Sequence, residues 1–110
     1  ERPILCAASD IGAVLAFRAG GDFGEQYMGM ERLWSCVIGR RIRAIHATRI
    51  ADKDTLLAGT EDGTIVAIDA RTGEIAARTA AGGSPVVRFL DSAGRTLALR
   101  EDGLVQIVER

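Results

Sequence analysis

The sequence predicts an all-β protein, and a repeated pattern carries the prediction. A short aliphatic strand, an Asp-Gly turn and a second aliphatic strand occur at 56–68 and again at 97–108, with turns about 40 residues apart. A looser copy runs from 4 to 17, with one extra residue in its turn. Asp-Gly suits a two-residue hairpin of type I′, in which both central residues need positive φ. Repeats of this length predict a partial β-propeller of about 2.5 four-stranded antiparallel blades.

The strands are placed outward from these turns, and A to D denote the innermost to outermost strand of a blade. The first part of the chain supplies strands B, C and D, the middle part supplies A to D, and the last part supplies A, B and C. In chain order the predicted strands are 4–8, 13–18, 32–38, 42–49, 55–60, 64–69, 74–79, 85–90, 95–100 and 104–109. Residues 1–110 therefore form a single partial propeller segment, with a blade fragment at 1–38, a complete blade at 42–79 and a blade fragment at 85–110.

Two stretches also have some helical character. Residues 42–50 carry apolar side chains at helical spacing, and 75–81 is rich in alanine, which favours helices. Both lie between hairpins, where a blade needs a strand, so we predict strands. The runs 86–90 and 104–108 are mostly apolar, which predicts strands buried between neighbouring blades.

Composition excludes two classes of partner. Fourteen Lys and Arg against fifteen Asp and Glu give a net charge of −1, whereas nonspecific nucleic-acid binding needs clustered positive charge. The one basic cluster, Arg40, Arg41 and Arg43, is interpreted as a solvated turn leading into a strand. No apolar stretch reaches the roughly 20 residues of a membrane helix. We expect neither a nucleic-acid partner nor a membrane partner.

The two cysteines, Cys6 and Cys36, fall on predicted strands with one strand between them. Interstrand spacing puts their backbones roughly 9–10 Å apart, and a disulfide needs about 7 Å or less between Cα atoms. We predict two buried free thiols, which suits a reducing compartment and a cytoplasmic location.

Nothing in the sequence forms a catalytic or metal-binding pattern. No Cys or His spacing suits zinc, and the glycine-rich stretch 20–24 lacks the lysine and the helix of a phosphate loop. The only histidine, His46, lies on a strand expected to line the central channel, with no nucleophile nearby and no carboxylate partner fixed by spacing. We expect no catalytic residue, no metal and no cofactor.

The most distinctive segment is the insertion 18–30. It joins two strands that need only a short turn in the next repeat, and it is rich in glycine. Its apolar residues adapt well to irregular partner surfaces, and the possible partner contacts are Phe23, Tyr27, Met28 and Met30. The alternative is an insertion that folds over its own blade.

Residues 62–74 closely resemble a blade of the WD40 and PQQ-like (quinoprotein-type) propellers. In both families a strand ends in an Asp, here Asp69, and a short turn containing Thr-Gly leads to the outermost strand. WD40 repeats usually have Trp where this chain has Ile68. PQQ-like repeats have a docking Trp at the position of Ala77, and in the first blade Trp34 supplies that residue after one extra position.

The resemblance implies structural roles for these residues. Asp69 is expected to accept hydrogen bonds from the turn at 71–73, and Gly73 to take a left-handed conformation. Trp34 is expected to be a wedge packed between adjacent blades, because Trp buries a large area.

The strand count predicts how the chain works. The first blade lacks its innermost strand and the last blade its outermost, and propellers need about four blades or more to close. We expect a noncatalytic protein-interaction scaffold, completed by the remaining blades from further polypeptide or by another protein subunit, and not a stable monomer in isolation, because open edges pair with other chains. The alternative, implied by the PQQ-like turn, is a fragment of a quinoprotein dehydrogenase; its metal-ligating carboxylates and stacking Trp find no place in this sequence.

Overall fold

The computed structural model of the chain describes residues 4–9, 11–19, 30–79 and 83–108. Within these ranges the chain forms ten β-strands and no helix. The strands are β1 (Ile4–Ala8), β2 (Ala13–Ala19), β3 (Met30–Val37), β4 (Ile42–Ile50), β5 (Lys53–Thr60), β6 (Ile65–Asp69), β7 (Ile75–Arg78), β8 (Val86–Ser92), β9 (Arg95–Arg100) and β10 (Val105–Val108).

The strands form three separate antiparallel sheets. The first has the order β1-β2-β3, the middle one β4-β5-β6-β7 and the third β10-β9-β8. Three stacked sheets of three, four and three strands are the partial propeller that the sequence predicts. Each strand begins and ends within about two residues of its predicted bound. The helical alternatives for 42–50 and 75–78 are wrong, because both stretches pair as strands.

The Asp-Gly turns differ from the predicted type I′ geometry. In both turns the glycine has positive φ, 87° at Gly63 and 91° at Gly103, but the aspartate before it does not. The amide of Gly63 donates to the carbonyl of Thr60 at 3.2 Å, and the amide of Thr60 donates to the carbonyl of Thr64 at 3.0 Å. This is a three-residue loop closed by a glycine bulge. Asp62 contributes through its side chain rather than through its own φ.

The two-residue hairpins with positive φ at both positions occur at sequences that the Asp-Gly rule does not select. They are Ala51-Asp52, with φ of 52° and 66°, and Ala93-Gly94, with φ of 52° and 77°. Each joins the first two strands of its sheet, β4 to β5 and β8 to β9. The first strands of these two sheets, β4 and β8, lie in contact with each other.

Two apolar cores hold the three sheets together. The first lies between the first and middle sheets and contains Val14, Ala16, Trp34, Cys36, Ile38, Leu56, Ala58, Val66 and Ile68. The second lies between the middle and third sheets and contains Leu57, Ile65, Val86, Phe89 and Ala98. Successive residues of β5 enter different cores because side chains alternate across a strand. The middle sheet is therefore covered on both faces.

The outer faces of the two end sheets are not covered by any described strand. Large apolar side chains stand exposed there and in nearby turns, namely Leu5, Ile11, Val37, Leu104, Val105 and Ile107. The prediction that 104–108 is buried between blades is therefore wrong for most of the run. Val105 and Ile107 face away from the middle sheet, on the side where a further blade would lie.

Candidate functional site

The contact between the first and middle sheets is built around Trp34. This residue lies on β3 and is buried, and its indole Nε1 donates to the backbone carbonyl of Ala70 at 2.9 Å. Ala70 belongs to the turn that joins β6 to β7. The predicted wedge between adjacent blades is confirmed. One hydrogen bond and the apolar contacts of the indole ring hold the two sheets together at this point.

The turn that receives Trp34 has the predicted form. The carboxylate of Asp69 accepts the amide of Arg71 at 2.8 Å, and its backbone carbonyl accepts the amide of Gly73 at 2.8 Å. Gly73 has φ of 82°. A Cβ added there would lie 2.6 Å from Cδ2 of Trp34, so the glycine is needed for the close approach of the ring as well as for the backbone conformation.

The middle and third sheets meet through a different arrangement. Gly59 on β5 faces β8, and a Cβ added there would lie 2.6 Å from the side chain of Val86. The ring of His46 stacks on that of Phe89, with centroids 6.0 Å apart and an interplanar angle of 26°. The ring of His46 therefore packs against the neighbouring sheet.

His46 also has a carboxylate neighbour that its sequence spacing does not indicate. Its Nε2 lies 3.1 Å from Oδ2 of Asp91, a distance typical of an ion pair when the imidazole is protonated, although the approach lacks hydrogen-bond geometry. Asp91 also accepts the hydroxyl of Thr96 at 2.7 Å and that of Thr48 at 3.5 Å. These hydroxyls donate to the carboxylate, so the four side chains form a polar contact between the sheets rather than a site with an activated nucleophile.

The side chains of the basic cluster pair with the carboxylates of Glu61 and Asp62. Arg40 forms an ion pair with Asp62 at 2.7 Å, and Arg41 and Arg43 lie 3.8 and 3.4 Å from the carboxylate of Glu61. All three pairs are at the surface, so each contributes little stability on its own. The interpretation as a solvated turn leading into a strand is confirmed.

The pKa of Asp62, in this turn, departs from its usual value. Its carboxylate accepts the hydroxyl of Thr60 and both the amide and hydroxyl of Thr64. The bond from Thr60, with those from Thr64 and the charge of Arg40, lowers the pKa of Asp62 against the opposing effect of desolvation. The carboxylate is thus a structural acceptor of the turn, as predicted for a turn-forming Asp.

Arg100 fastens the third sheet to the turn of the middle sheet. Its Nη1 donates to the carbonyl of Gly63 at 3.1 Å and to that of Ser84 at 2.9 Å, while Nε and Nη2 both donate to Oε1 of Gln106. The guanidinium is half-buried. A planar group with several fixed donors suits this role. The residues it joins are far apart in sequence, so no local motif predicts the contact.

An apolar cleft of about 390 Å³ opens where the middle and third sheets diverge. Its floor is the face of the middle sheet towards the third, including Leu57, Ile65, Ala67 and Ala77, and Val108 of β10 forms one side. The charged residues Lys53 and Asp69 also line it. Small side chains leave this space open, and it suits apolar groups of a partner.

The two cysteines are free thiols, as predicted. Cys36 is buried, but Cys6 is only half-buried, so the prediction that both are buried is wrong for Cys6. Cys6 lies on the edge strand β1, which has a neighbour on one side only among the described strands. Burial raises the pKa of both thiols, and at Cys36 the charge of Arg78 partly opposes that rise.

Three of the predicted partner contacts, Phe23, Tyr27 and Met28, lie outside the described residues. Met30 is the first residue of β3, and its side chain also lies outside the description. In the part of the chain that is described, no group of three or more His, Cys, Asp or Glu side chains is placed to hold a metal ion. No helix there is long and apolar enough to cross a membrane.

Comparison with known proteins identifies the fold. No protein-family model matches the sequence, and no curated protein is significantly similar to it. Among solved structures, BamB from Moraxella catarrhalis, a β-propeller, superposes with a TM-score of 0.67 at 23% identity, over 94% of this chain and 29% of BamB. The computationally designed Ika4 protein superposes with a TM-score of 0.58 at 18% identity, over 94% of this chain and 63% of Ika4.

These likenesses define the class of protein. The chain has the fold of a partial β-propeller, and it spans less than a third of the length of BamB. Identities of this size show the fold alone. They agree with a segment that needs further blades, as the strand count predicts.

Proposed function

We propose that this chain is a noncatalytic segment of a β-propeller that acts as a protein-interaction scaffold and is completed by further polypeptide or by another subunit. The observation that carries the proposal is the contrast between the covered middle sheet and the two end sheets. Leu57 and Val66 of the middle sheet are fully buried, whereas Leu5 of the first sheet and Val105 of the third are more than half exposed. Apolar side chains concentrated on open sheet faces mark interaction surfaces.

Edge strands support the same proposal. β1 and β10 are each paired on one side only among the described strands, and unpaired strand edges bind other strands through their backbone groups. The polar groups at the sheet contacts, such as Asp91 and Arg100, are engaged in holding the sheets together. Their use as structural contacts favours a scaffold over an enzyme.

The state of the chain in solution tests the proposal. We expect the isolated chain to self-associate or to unfold at low denaturant concentration, measured by size-exclusion chromatography with light scattering and by urea unfolding. A stable, cooperatively folded monomer would refute it. A matched variant, Val105→Lys with Ile107→Lys, places charge on the exposed face of β10 and is expected to reduce self-association; Arg49→Lys, an exposed and conservative change, is the control.

The noncatalytic part of the proposal has its own test. Pyrroloquinoline quinone and calcium are added to the protein, and the absorbance spectrum of the quinone is followed. We expect the spectrum of the free cofactor to be unchanged. Saturable spectral changes that depend on calcium would support a quinoprotein dehydrogenase instead.

A further inference from the structure

The middle sheet provides a template for a complete fourth strand. β7 pairs with β6 in antiparallel register, with Ile75 opposite Ile68 and Ala77 opposite Ala67. The side chain of Ile75 packs on the apolar core between the first and middle sheets. The fourth strand therefore pairs with the backbone of β6 and also fills space between neighbouring sheets.

The third sheet repeats this arrangement as far as its third strand. Val108 stands five residues after the turn glycine Gly103, as Ile68 stands after Gly63. No strand pairs with the outer side of β10 among the described residues. The cleft begins beside Val108, where the counterpart of Ile75 would lie.

The backbone of β10 is arranged to bind another strand. The amide of Arg100 donates to the carbonyl of Leu104 at 2.9 Å, so the carbonyl of Leu104 points towards β9. Backbone groups alternate in direction along an antiparallel strand. The amides and carbonyls of Val105 and Ile107 therefore point to the open side of β10.

The cleft is larger than is needed to hold a side chain of the size of Ile75. In the first sheet Trp34 lies opposite Ala16 and fills the space next to the middle sheet. The corresponding position of the middle sheet is Ala77, opposite Ala67, and both alanines line the cleft. The missing indole leaves room for a side chain larger than that of Ile75.

We propose that the free edge of β10 binds an extended peptide segment as a fourth antiparallel strand, and that an aromatic side chain of this segment, opposite Val108, fills the cleft over Ala67 and Ala77. This inference rests on the proposed scaffold function and names the chemistry of the partner. Backbone hydrogen bonds to Val105 and Ile107 give affinity, and the cleft selects the side chain.

The test uses three fluorescein-labelled peptides that copy residues 72–79. One keeps Ile75, one carries Ile75→Trp and one carries Ile75→Asp. We expect anisotropy titrations to rank them Trp, Ile, Asp, with the Trp peptide binding at least about tenfold more tightly than the Asp peptide. Equal affinities, or no binding of any peptide, would overturn the inference.

Two pairs of variants test separately what the edge of β10 and the cleft each contribute to peptide binding. Ile107→Pro removes an outward amide without touching the bonds to β9 and should weaken the Trp peptide at least about tenfold, while Ile107→Thr, which keeps the amide, should change it less than about twofold. Ala77→Trp fills the cleft and should also weaken binding, while Ser35→Trp, on the outer strand of the first sheet, should not. Circular dichroism checks that each variant is folded.

These experiments distinguish a failure of the fourth-strand inference from a failure of the scaffold proposal. If the chain self-associates but binds no peptide, the scaffold proposal stands and the fourth-strand inference fails. If Ile107→Pro abolishes self-association and no peptide binds, the occupant of the edge is a second copy of this chain, which also overturns the inference.

Discussion

Trp34 and Gly73 meet so closely that the space for a glycine side chain is occupied by the indole ring: a Cβ on Gly73 would lie 2.6 Å from Cδ2 of Trp34. Trp34 lies on β3 of the first sheet, and Gly73 lies in the turn between β6 and β7 of the middle sheet. Their contact, with the hydrogen bond from Trp34 to Ala70, adds a specific link to the apolar core between the first two sheets.

Trp34→Ala is therefore expected to lower the free energy of unfolding by about 3–5 kcal/mol, the usual loss for a buried Trp. Trp34→Phe keeps most of the apolar contact but leaves the carbonyl of Ala70 without its donor, so a loss of about 1–3 kcal/mol is expected. Urea unfolding followed by circular dichroism at one fixed protein concentration measures both. Val37→Ala, at an exposed position of β3, is the control; a loss for Trp34→Ala no larger than the control would contradict the wedge.

Arg100 predicts coupling between the turn of the middle sheet and the third sheet. Arg100→Met is expected to cost about 1–3 kcal/mol of stability, because the carbonyls of Gly63 and Ser84 lose a half-buried donor. A double-mutant cycle with Gln106→Ala should give an interaction energy of about 0.5–3 kcal/mol. Arg95→Met on the same strand is exposed and should change stability by no more than about 0.5 kcal/mol. Additive losses in the cycle would exclude coupling between Arg100 and Gln106 within the third sheet. A loss for Arg100→Met no larger than that for Arg95→Met would contradict the contact between the sheets.

We expect the contribution of Asp62 to the stability of the chain to depend on pH in the acid range. Its folded pKa lies below the ordinary value of 3.8, chiefly because of the hydrogen bond from Thr60. The carboxylate's contribution is thus complete above the unfolded pKa and is lost as pH falls through the folded pKa. The stability difference between the native chain and Asp62→Asn should be constant from about pH 5 to 7 and shrink below about pH 4.

Thr60→Val removes the main cause of this shift. It should reduce the acid dependence that distinguishes the native chain from Asp62→Asn, as measured by urea unfolding at a series of pH values. A difference between native chain and Asp62→Asn that grows as pH falls would have the wrong sign for a carboxylate with a lowered pKa.

The local features of the fold follow from sequence. Aliphatic runs and turn residues locate the ten described strands, and the resemblance predicts the form of the turn at Asp69 and the role of Trp34 as a wedge between blades. These features can be predicted because they depend on neighbours in the chain. The geometry of the Asp-Gly turns is less well predicted, since the side chain of Asp62 accepts bonds from Thr60 and Thr64 in a three-residue loop.

Contacts between sheets are where sequence reasoning fails. The approach of His46 to Asp91 and of Arg100 to Gly63 joins residues about 40 positions apart on different sheets. Their pairing depends on how the sheets stack, which no spacing rule gives. Sequence patterns also do not predict the exposure of Val105 and Ile107, because an apolar strand has the same composition whether or not a neighbour covers it.

The account depends most on the claim that the end sheets are incomplete while the middle sheet is complete. Hydrogen–deuterium exchange of the isolated chain, read by peptide-resolved mass spectrometry, tests this claim directly. We expect the amides of β5 and β6 to exchange slowest and those of β10 to exchange much faster, because the amides of Val105 and Ile107 have no strand to pair with on the open side. Protection of β10 equal to that of β5, in a chain shown to be monomeric, would contradict the account.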